Sequence, residues 1–449
     1  MIRCYENQTV LVVGLKLSGT AAVEFLLYHG ATVWGFDDDA NLLASDPNVQ
    51  CLKGSGLRLF SKGETIPWEQ ISLMVISPGV PPHHASCIAA SRHKIPIIGE
   101  IELAARVVSQ PFLGITGTNG KTTVTLLVTH ILNASGKPAR AVGNVGNPLA
   151  AALLTKSDDI LVVELSSYQL ETLRAPVMDA AVLLNITPDH LDRYPSMEAY
   201  ADTKWAIGRS IKESGTLYVE EHTAKAYASH VKEYEGQLQL QTFGFSPGCT
   251  IRSDKSHLLL NERIEYILPL GYRGLMSHDV ENLLAAYALC HEMGVTPEQF
   301  VTAAETFKKP AHRVEFVRTS GGVAYYDDSK GTNVDAVIKA VHSLTGPVIL
   351  IAGGVDKGFP YTGWIDPFEG KVRHICAIGE ASIKIKRDLS KSFSVEIFDS
   401  LESAIKHAQH MAKKGDNVLL SPGCASFDMF KDYAHRGNEF KRLVHELDS

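Results

Sequence analysis

The stretch from Pro111 to Thr123, read P-F-L-G-I-T-G-T-N-G-K-T-T, constrains this chain more than any other. A short apolar run (Phe112, Leu113, Ile115) ends in two glycines that bracket Thr118 and Asn119, and Lys121 and Thr122 follow. Val124, Leu127, Val128, Ile131 and Leu132 then recur at the spacing of one buried helix face. The order predicts a strand, a tight turn and a helix N-terminus. Glycines let the backbone curl so that successive N–H groups converge on an anion. The helix end adds unpaired N–H groups and the positive end of its dipole. Lys121 supplies a cation for the outer phosphates, and the Thr122 hydroxyl can ligate Mg²⁺. Gly117, Thr118, Asn119, Gly120, Lys121, Thr122 and Thr123 are thus the candidate cradle of a nucleoside triphosphate. The pattern departs from G-x-x-x-x-G-K-[ST] at Ile115, and alone it specifies ATP or GTP but no reaction.

A chain of 449 residues is too long for one core and implies two to four domains. With 45% hydrophobic and 21% charged residues it reads as a soluble globular protein. A net charge of −7 argues against a nonspecific nucleic-acid binder, so no nucleic-acid partner is expected. The seven cysteines are scattered and never form C-x-x-C, which points to a reducing compartment and away from a zinc framework. The N-terminus lacks the apolar stretch of a signal peptide, and no run approaches the length of a membrane span. A cytoplasmic protein without stable membrane insertion is expected.

The first segment opens with the apolar run Val10–Val13, then Gly14-Leu-Lys-Leu-Ser-Gly19, a helix over 21–29 and a strand over 31–36 that ends at Asp37-Asp-Asp39. This unit reads as a Rossmann-like nucleotide site, but Lys16 replaces the middle glycine of G-x-G-x-x-G. The expectation is a site adapted to a diphosphate other than a dinucleotide, with Asp37 accepting from a ribose or base. A plain α/β turn without ligand is the alternative. A buried strand over 73–77 leads to a second candidate loop, Pro78-Gly79-Val80.

The second segment carries the phosphate loop and further buried strands over 160–165 and 180–185. Their exits hold the polar clusters E-L-S-S-Y-Q (164–169) and N-I-T-P-D-H-L-D (185–192). Glu164 stands where a Mg²⁺ held by Thr122 would need an acidic partner. His190 is a candidate for a second metal or for substrate, against a structural histidine. A helix over 196–214 displays Lys204, which on its own reads as a solvated helix lysine. A polar, hairpin-rich excursion follows over 252–270, and Ser277-His-Asp-Val-Glu-Asn282 caps a helix running to Glu292.

The third segment begins near Pro310-Ala-His-Arg313 and alternates strands (323–326, 348–352, 373–378, 417–420) with loops and a helix over 401–414. Two of its strand-exit loops, D-S-K-G-T-N around Lys330 and G-G-V-D-K-G around Lys357, predict a convergent polar pocket. The two lysines would hold carboxylate or phosphate as point charges. Repeated β-loop-α with polar strand exits implies a second parallel sheet. The expected architecture is α/β in three domains: a Rossmann-like domain over 1–98, a central P-loop ATPase domain with a mostly parallel sheet over 99–309, and a C-terminal Rossmann-like domain over 310–449.

Taken together, G-T-N-G-K-T, E-L-S-S-Y-Q-L-E, N-I-T-P-D-H-L-D-R-Y, H-R-V-E, D-D-S-K-G-T-N and L-S-P-G-C-A-S-F-D-M-F resemble the Mur ligases, ATP-dependent amide-forming enzymes of peptidoglycan synthesis. The resemblance covers essentially the whole chain. The last two motifs, with His435-Arg-Gly-Asn-Glu-Phe440, favour the D-glutamate-adding branch, and the D-N-P-R-type loop of diaminopimelate- or lysine-adding relatives is not found. The resemblance implies a monomer that joins D-glutamate to UDP-N-acetylmuramoyl-L-alanine through an acyl phosphate, using ATP and two Mg²⁺ ions. It implies that Lys121 and the loop amides hold the ATP phosphates and that Thr122 with Glu164 holds one Mg²⁺. His190 and a carbamylated Lys204 would organise the second Mg²⁺ and the reacting carboxylate. Asn282, Arg313 and Asp328 would contact the nucleotide, with Lys330 bordering it. Thr332, Lys357, Ser426 and Tyr433 would surround D-glutamate, and Leu17, Ser18, Asp37 and Gly79 would hold the UDP moiety, with Asn144 on the UDP-sugar or phosphate. Two departures from the family pattern stand out: Lys16 replaces a small residue in the first loop, and Asp279 stands where relatives often carry an amide near the adenine.

Two rival readings belong to other classes. An NAD-dependent oxidoreductase built on the first segment is opposed by Lys16 and by the phosphate loop. A nucleotide-sensing module without turnover would have no use for Lys121, Glu164 and His190 together.

Overall fold

The computed structural model describes residues 4–191, 193–254, 256–268, 277–358 and 360–447. Asp192 of the predicted polar cluster and part of the excursion over 252–270 lie outside the described residues. Among the described residues, three sheets of five, nine and six strands follow one another along the chain. No helix among the described residues is long and apolar enough to cross a membrane, and all seven cysteines are free thiols.

The chain divides into two compact units, residues 1–186 with 198–307 and residues 187–197 with 308–449. In the first unit, Thr9–Val13 pairs in parallel with Thr32–Phe36 on one side and Leu73–Ile76 on the other. Arg58–Phe60 and Ile97–Gly99 complete the five strands at the two edges. Val10, Leu11 and Val12 are fully buried, as a strand covered on both faces requires. The strand order reverses at the central strand, so the loops after Val13 and Ile76 leave the same edge side by side. Such a switch point is where open α/β sheets place ligands.

The second sheet of this unit has seven parallel strands and ends in an antiparallel pair, His257–Leu260 and Arg263–Ile267. The predicted hairpin excursion is therefore an extension of the main sheet. The phosphate-loop strand, Phe112–Thr116, lies between Ile160–Glu164 and Met178–Leu183, in register Ile115 to Glu164 and Thr116 to Leu183. Lys121–Ala134 packs back as a helix, and Val124, Leu127, Val128, Ile131 and Leu132 are all buried. Residues from both sheets join one apolar cluster that runs from Val10 and Phe25 through Ile101 and Leu149 to Val163 and Leu217.

Two local expectations are corrected. The helix predicted over 196–214 stops at Trp205, continues as one 3₁₀ segment and becomes the strand Ile211–Glu220. Lys204 on it is 1% exposed, so the solvated reading fails. The stretch Ser277–Asn282, expected to cap a helix, forms the first turns of that helix, which runs from Ser277 to Glu292 as expected.

In the second unit five strands are parallel, and an antiparallel edge strand, Glu315–Ser320, was not anticipated. Val323–Asp327, Asn417–Leu420 and Val348–Gly353 are adjacent. Their exits, the loops starting at Asp328, Ser421 and Gly354, therefore emerge together, and a bridge joins Val355 to Ala425.

Candidate active site

At the switch point of the first sheet lies a cleft of about 510 Å³. Leu17, Ser18, Asp37, Gly79 and Asn144, drawn from four separated stretches of sequence, all line it. Gly14 adopts φ +85°, and a side chain on Gly19 would collide with the Gly14 carbonyl. The outer glycines of the first loop thus serve the tight turn and the close helix approach, while Lys16 extends at the helix start and lines the cleft. The Asp37 carboxylate accepts from the Leu15 N–H at 2.7 Å and the Asp39 N–H at 3.0 Å. Asp37 therefore shapes the loop as well as facing the cleft. Ser77 donates to the Gly14 carbonyl at 2.7 Å, tying the two switch-point loops together.

The phosphate loop has the backbone its glycines foretold. Gly117 and Gly120 take φ +148° and +91°, and the helix begins at Lys121. A Cβ on Gly120 would lie 2.5 Å from Asn282 Oδ1, and one on Gly117 would lie 2.8 Å from Leu184 Cβ. The Lys121 ammonium donates to the carbonyls of Gly117 and Thr118, each at 2.9 Å, and so sits over the turn. Asn185, quoted in a motif but given no role by sequence reasoning, pins the loop. Its carbonyl accepts from the Thr118 N–H (2.7 Å), and its side chain both accepts from and donates to the Asn119 backbone (2.9 and 3.1 Å). The available signal was an amide at the exit of the strand next to the loop.

Glu164 ends the neighbouring strand and is 1% exposed. One carboxylate oxygen accepts from the Asn144 amide at 2.7 Å, while the other is buried without a hydrogen-bond partner among the described residues. A buried carboxylate oxygen left unsatisfied is costly, and a hard cation that takes oxygen ligands would satisfy it. The residues present therefore fit Mg²⁺. Thr122 and Thr123 are half-buried at the helix start. The Lys204 amine donates to the Gly117 carbonyl at 2.7 Å and lies 4.8 Å from the Tyr200 ring centroid, while Thr118 and Tyr200 share a hydroxyl hydrogen bond of 3.1 Å. The helix carrying Lys204 thus packs directly on the phosphate loop.

In the second unit, Asp189 is buried and meets Lys357 at 3.0 Å and Asn333 at 3.3 Å. Burial works to raise its pKa, but Lys357, His190 and the two hydrogen bonds outweigh it and hold the carboxyl below its usual range. His190 follows with a left-handed backbone (φ 56°), its ring 3.7 Å from Asp189 and about one-third exposed. The charges here are therefore one lysine answering one aspartate, with the histidine beside them.

Arg313 sits between two residues in the left-handed region, His312 (φ 63°) and the β-branched Val314 (φ 48°), an unfavourable geometry that its surroundings must impose. The His312 ring meets Asp327 at 2.6 Å, the His312 N–H donates to Glu315 and the Val314 N–H donates to Asp328. Asp328 also accepts from the Ser421 hydroxyl at 2.6 Å, and burial pushes its pKa up to about 7 although Ser421 and Arg313 pull it down. Lys330 lies 3.8 Å over the Tyr433 ring. Thr332 is half-buried and Ser426 buried, on two of the three adjacent exits. Arg436, read from sequence only as part of a motif, is fully buried and donates to the carbonyls of Ser329 and Cys424 and to the Ser329 hydroxyl. It clamps those exits together, and burial lowers its pKa to about 10. An arginine in an amphipathic helix gives no sequence sign of such a role.

Comparison with known proteins agrees with this geometry. The Mur ligase MurD-like N-terminal domain matches residues 8–99, the Mur ligase middle domain residues 115–290 and the Mur ligase glutamate ligase domain residues 312–424. The chain is 50% identical over 444 residues to the UDP-N-acetylmuramoylalanine–D-glutamate ligase of Protochlamydia amoebophila, covering 99% of both chains. It is 40% identical over 451 residues to the protein of that name from Koribacter versatilis, covering 98% of both. Among solved structures, it superposes on the UDP-N-acetylmuramate-alanine ligase of Thermotoga maritima with a TM-score of 0.61 at 16% identity, over 97% of this chain and 99% of that one. A pseudomurein peptide ligase of Methanothermus fervidus gives the same score at 18% identity, over 98% and 100%. The last two likenesses concern the fold alone. With its three sheets, its phosphate loop and matches along nearly its whole length, the chain belongs to the Mur ligase family.

Proposed function

We propose that this protein is the ATP-dependent ligase that joins D-glutamate to UDP-N-acetylmuramoyl-L-alanine in peptidoglycan precursor synthesis. The observation that carries the reading is end-to-end identity of 50% with a ligase of that name. It is supported by a phosphate loop flanked by the buried Glu164 and Lys204. The 1–98, 99–309 and 310–449 division is retained as the functional one: UDP binding, ATP binding and capture of the incoming amino acid.

A carboxylate is a poor acyl donor. Its oxygen attacks the γ-phosphorus of ATP, the bond to ADP breaks, and an acyl phosphate forms. The D-glutamate amine then attacks the acyl carbon, loses a proton, and phosphate leaves from the tetrahedral adduct. Lys121 and the loop N–H groups receive the charge of the transferred phosphoryl group. Thr122 and Glu164 would hold one Mg²⁺, and His190 with Lys204 would serve a second. When bound, such ions neutralise charge on the phosphoryl oxygens. Asn282, Arg313, Asp328 and Lys330 are assigned to the nucleotide. Leu17, Ser18, Asp37, Gly79 and Asn144 are assigned to the UDP-sugar, and their shared cleft supports this. Thr332, Lys357, Ser426 and Tyr433 are assigned to D-glutamate, with Lys357 exchanging Asp189 for a substrate carboxylate. The burial of Lys204 favours its neutral amine, and the ammonium that loses one proton to give that amine and a second on adding CO₂ becomes a carbamate, which turns a cation into an anionic ligand. Free thiols and the role in precursor synthesis support a cytoplasmic location.

The test is phosphate release with ATP, UDP-N-acetylmuramoyl-L-alanine and a panel of amino acids. D-glutamate alone should trigger release. Release without D-glutamate, or equal release with L-glutamate, refutes the reading.

A further inference from the structure

We propose that His374, Glu396 and His407 form a binding site for a transition-metal dication of the zinc class, at the sheet edge of the second unit and apart from the residues assigned to the ligase reaction. His374 lies on the strand Val372–Ile378 and Glu396 on the edge strand Val395–Phe398, where Glu396 pairs with Cys376. The two-residue period of a strand puts His374, Cys376 and Glu396 on one face. The helix Leu401–Met411 packs over that face, burying Ile405 and Ala408 against Cys376, and brings His407 down beside the other two. One donor atom from each of the three residues lies within 4.8 Å of the others, and His407 Nε2 is 3.6 Å from the Glu396 carboxylate.

The buried nitrogens point to a ligand. His374 is 1% exposed, its Nδ1 is 3.0 Å from the Ser394 hydroxyl, and its Nε2 is buried with no hydrogen-bond partner among the described residues. His407 Nε2 is likewise buried and without a hydrogen-bond partner. Two orphaned imidazole nitrogens within reach of one carboxylate are costly unless something bridges them. Burial and the neighbouring His407 push the His374 pKa below the usual imidazole range, and the neutral ring is the form that ligates metal. The His374 tautomer that carries its proton on Nδ1 and donates it to Ser394 leaves the Nε2 lone pair for the site, the arrangement that ordinarily orients a metal-bound histidine. Two imidazoles and a carboxylate suit zinc, nickel or copper better than Mg²⁺. Ligands about 2.0–2.2 Å from a tetrahedral ion stand about 3.3–3.6 Å apart, so modest side-chain shifts close the site. Three protein donors leave a fourth position for water. The ion would tie the edge strand to the helix that covers it.

The experiment is a Co²⁺ titration of the full-length protein in millimolar Mg²⁺, read by visible absorption and competed with Zn²⁺, with unfolding midpoints measured beside it. One equivalent of Co²⁺ should bind in a low-coordinate spectrum and be displaced by Zn²⁺. Zn²⁺ should raise the unfolding midpoint of the wild-type protein. His407→Ala and the exposed-site variant Glu396→Gln should each weaken binding by at least about tenfold and lose the Zn²⁺-dependent rise, with D-glutamate-dependent phosphate release unchanged. Equal Co²⁺ binding by wild type and Glu396→Gln, or no saturable binding by the wild type, overturns the proposal. The ligase assay is a separate readout, so loss of the metal site and failure of the ligase reading are distinguishable.

Discussion

Lys121 and Lys204 both donate to the Gly117 carbonyl, yet they make opposite demands on it. In the proposed reaction Lys121 remains a cation to meet phosphate, and it is half-buried at the mouth of the turn. Electrostatic groups of this kind contribute several kcal/mol to a phosphoryl transition state, so Lys121→Ala should lower turnover by at least about a hundredfold. Near-normal ligation by that variant would remove Lys121 from the mechanism. Lys204, buried against Tyr200, is the residue proposed to become an anion by carbamylation. Lys204→Ala should lose activity and regain part of it when short-chain carboxylates are added, measured as phosphate release. A crystal structure of the liganded enzyme with an unmodified lysine facing solvent would exclude the carbamate.

At the scale of elements, the loop between strand and helix holds its shape because backbone, neighbour strand and neighbour helix agree. Gly120 supplies the left-handed residue before the helix, and Asn282 occupies the space a side chain would need. Gly120→Ala combines that collision with unfavourable φ, a strain of about 1–3 kcal/mol. It should raise the KM for ATP by about tenfold or more, whereas an unchanged KM would show that the loop is not where ATP binds. The motif made this loop legible, because glycines and lysine at fixed spacing act through local backbone chemistry. Asn185 and Arg436 were not legible in the same way. Their partners are distant in sequence, and their hydrogen bonds exist only once strands are neighbours. The helix over 196–214 was overextended for a related reason: Ile211–Glu220 is a strand because it pairs with Met178–Leu183 and Gln239–Gly244.

At the scale of the molecule, the first two sheets share a continuous apolar cluster, and Glu100 is sealed at their seam. One of its oxygens accepts from the Ala150 N–H at 2.6 Å, the other has no hydrogen-bond partner, and burial raises its pKa to about 7. Between its ordinary value of 4.5 and about 7 the folded protein holds a proton that the unfolded chain has lost. Stability therefore falls as pH rises through that window and levels above it. The shift corresponds to on the order of 3 kcal/mol. Glu100→Gln should show a smaller drop in unfolding midpoint between pH 5 and pH 8 than the wild type, and identical drops would clear Glu100 of the effect.

The sequence by itself determined the α/β class and the phosphate loop, and it nominated candidate site residues without Asn185 and Arg436. Apolar runs, glycine spacing and strand-exit polarity act over a few residues and survive reading in one dimension. Tertiary structure decided what those residues touch. It buried Lys204, left one Glu164 oxygen without a hydrogen bond and gathered Leu17, Asp37, Gly79 and Asn144 around one cleft. Burial and hydrogen-bond satisfaction depend on strand order, which brings together side chains whose separation along the chain carries no record of it.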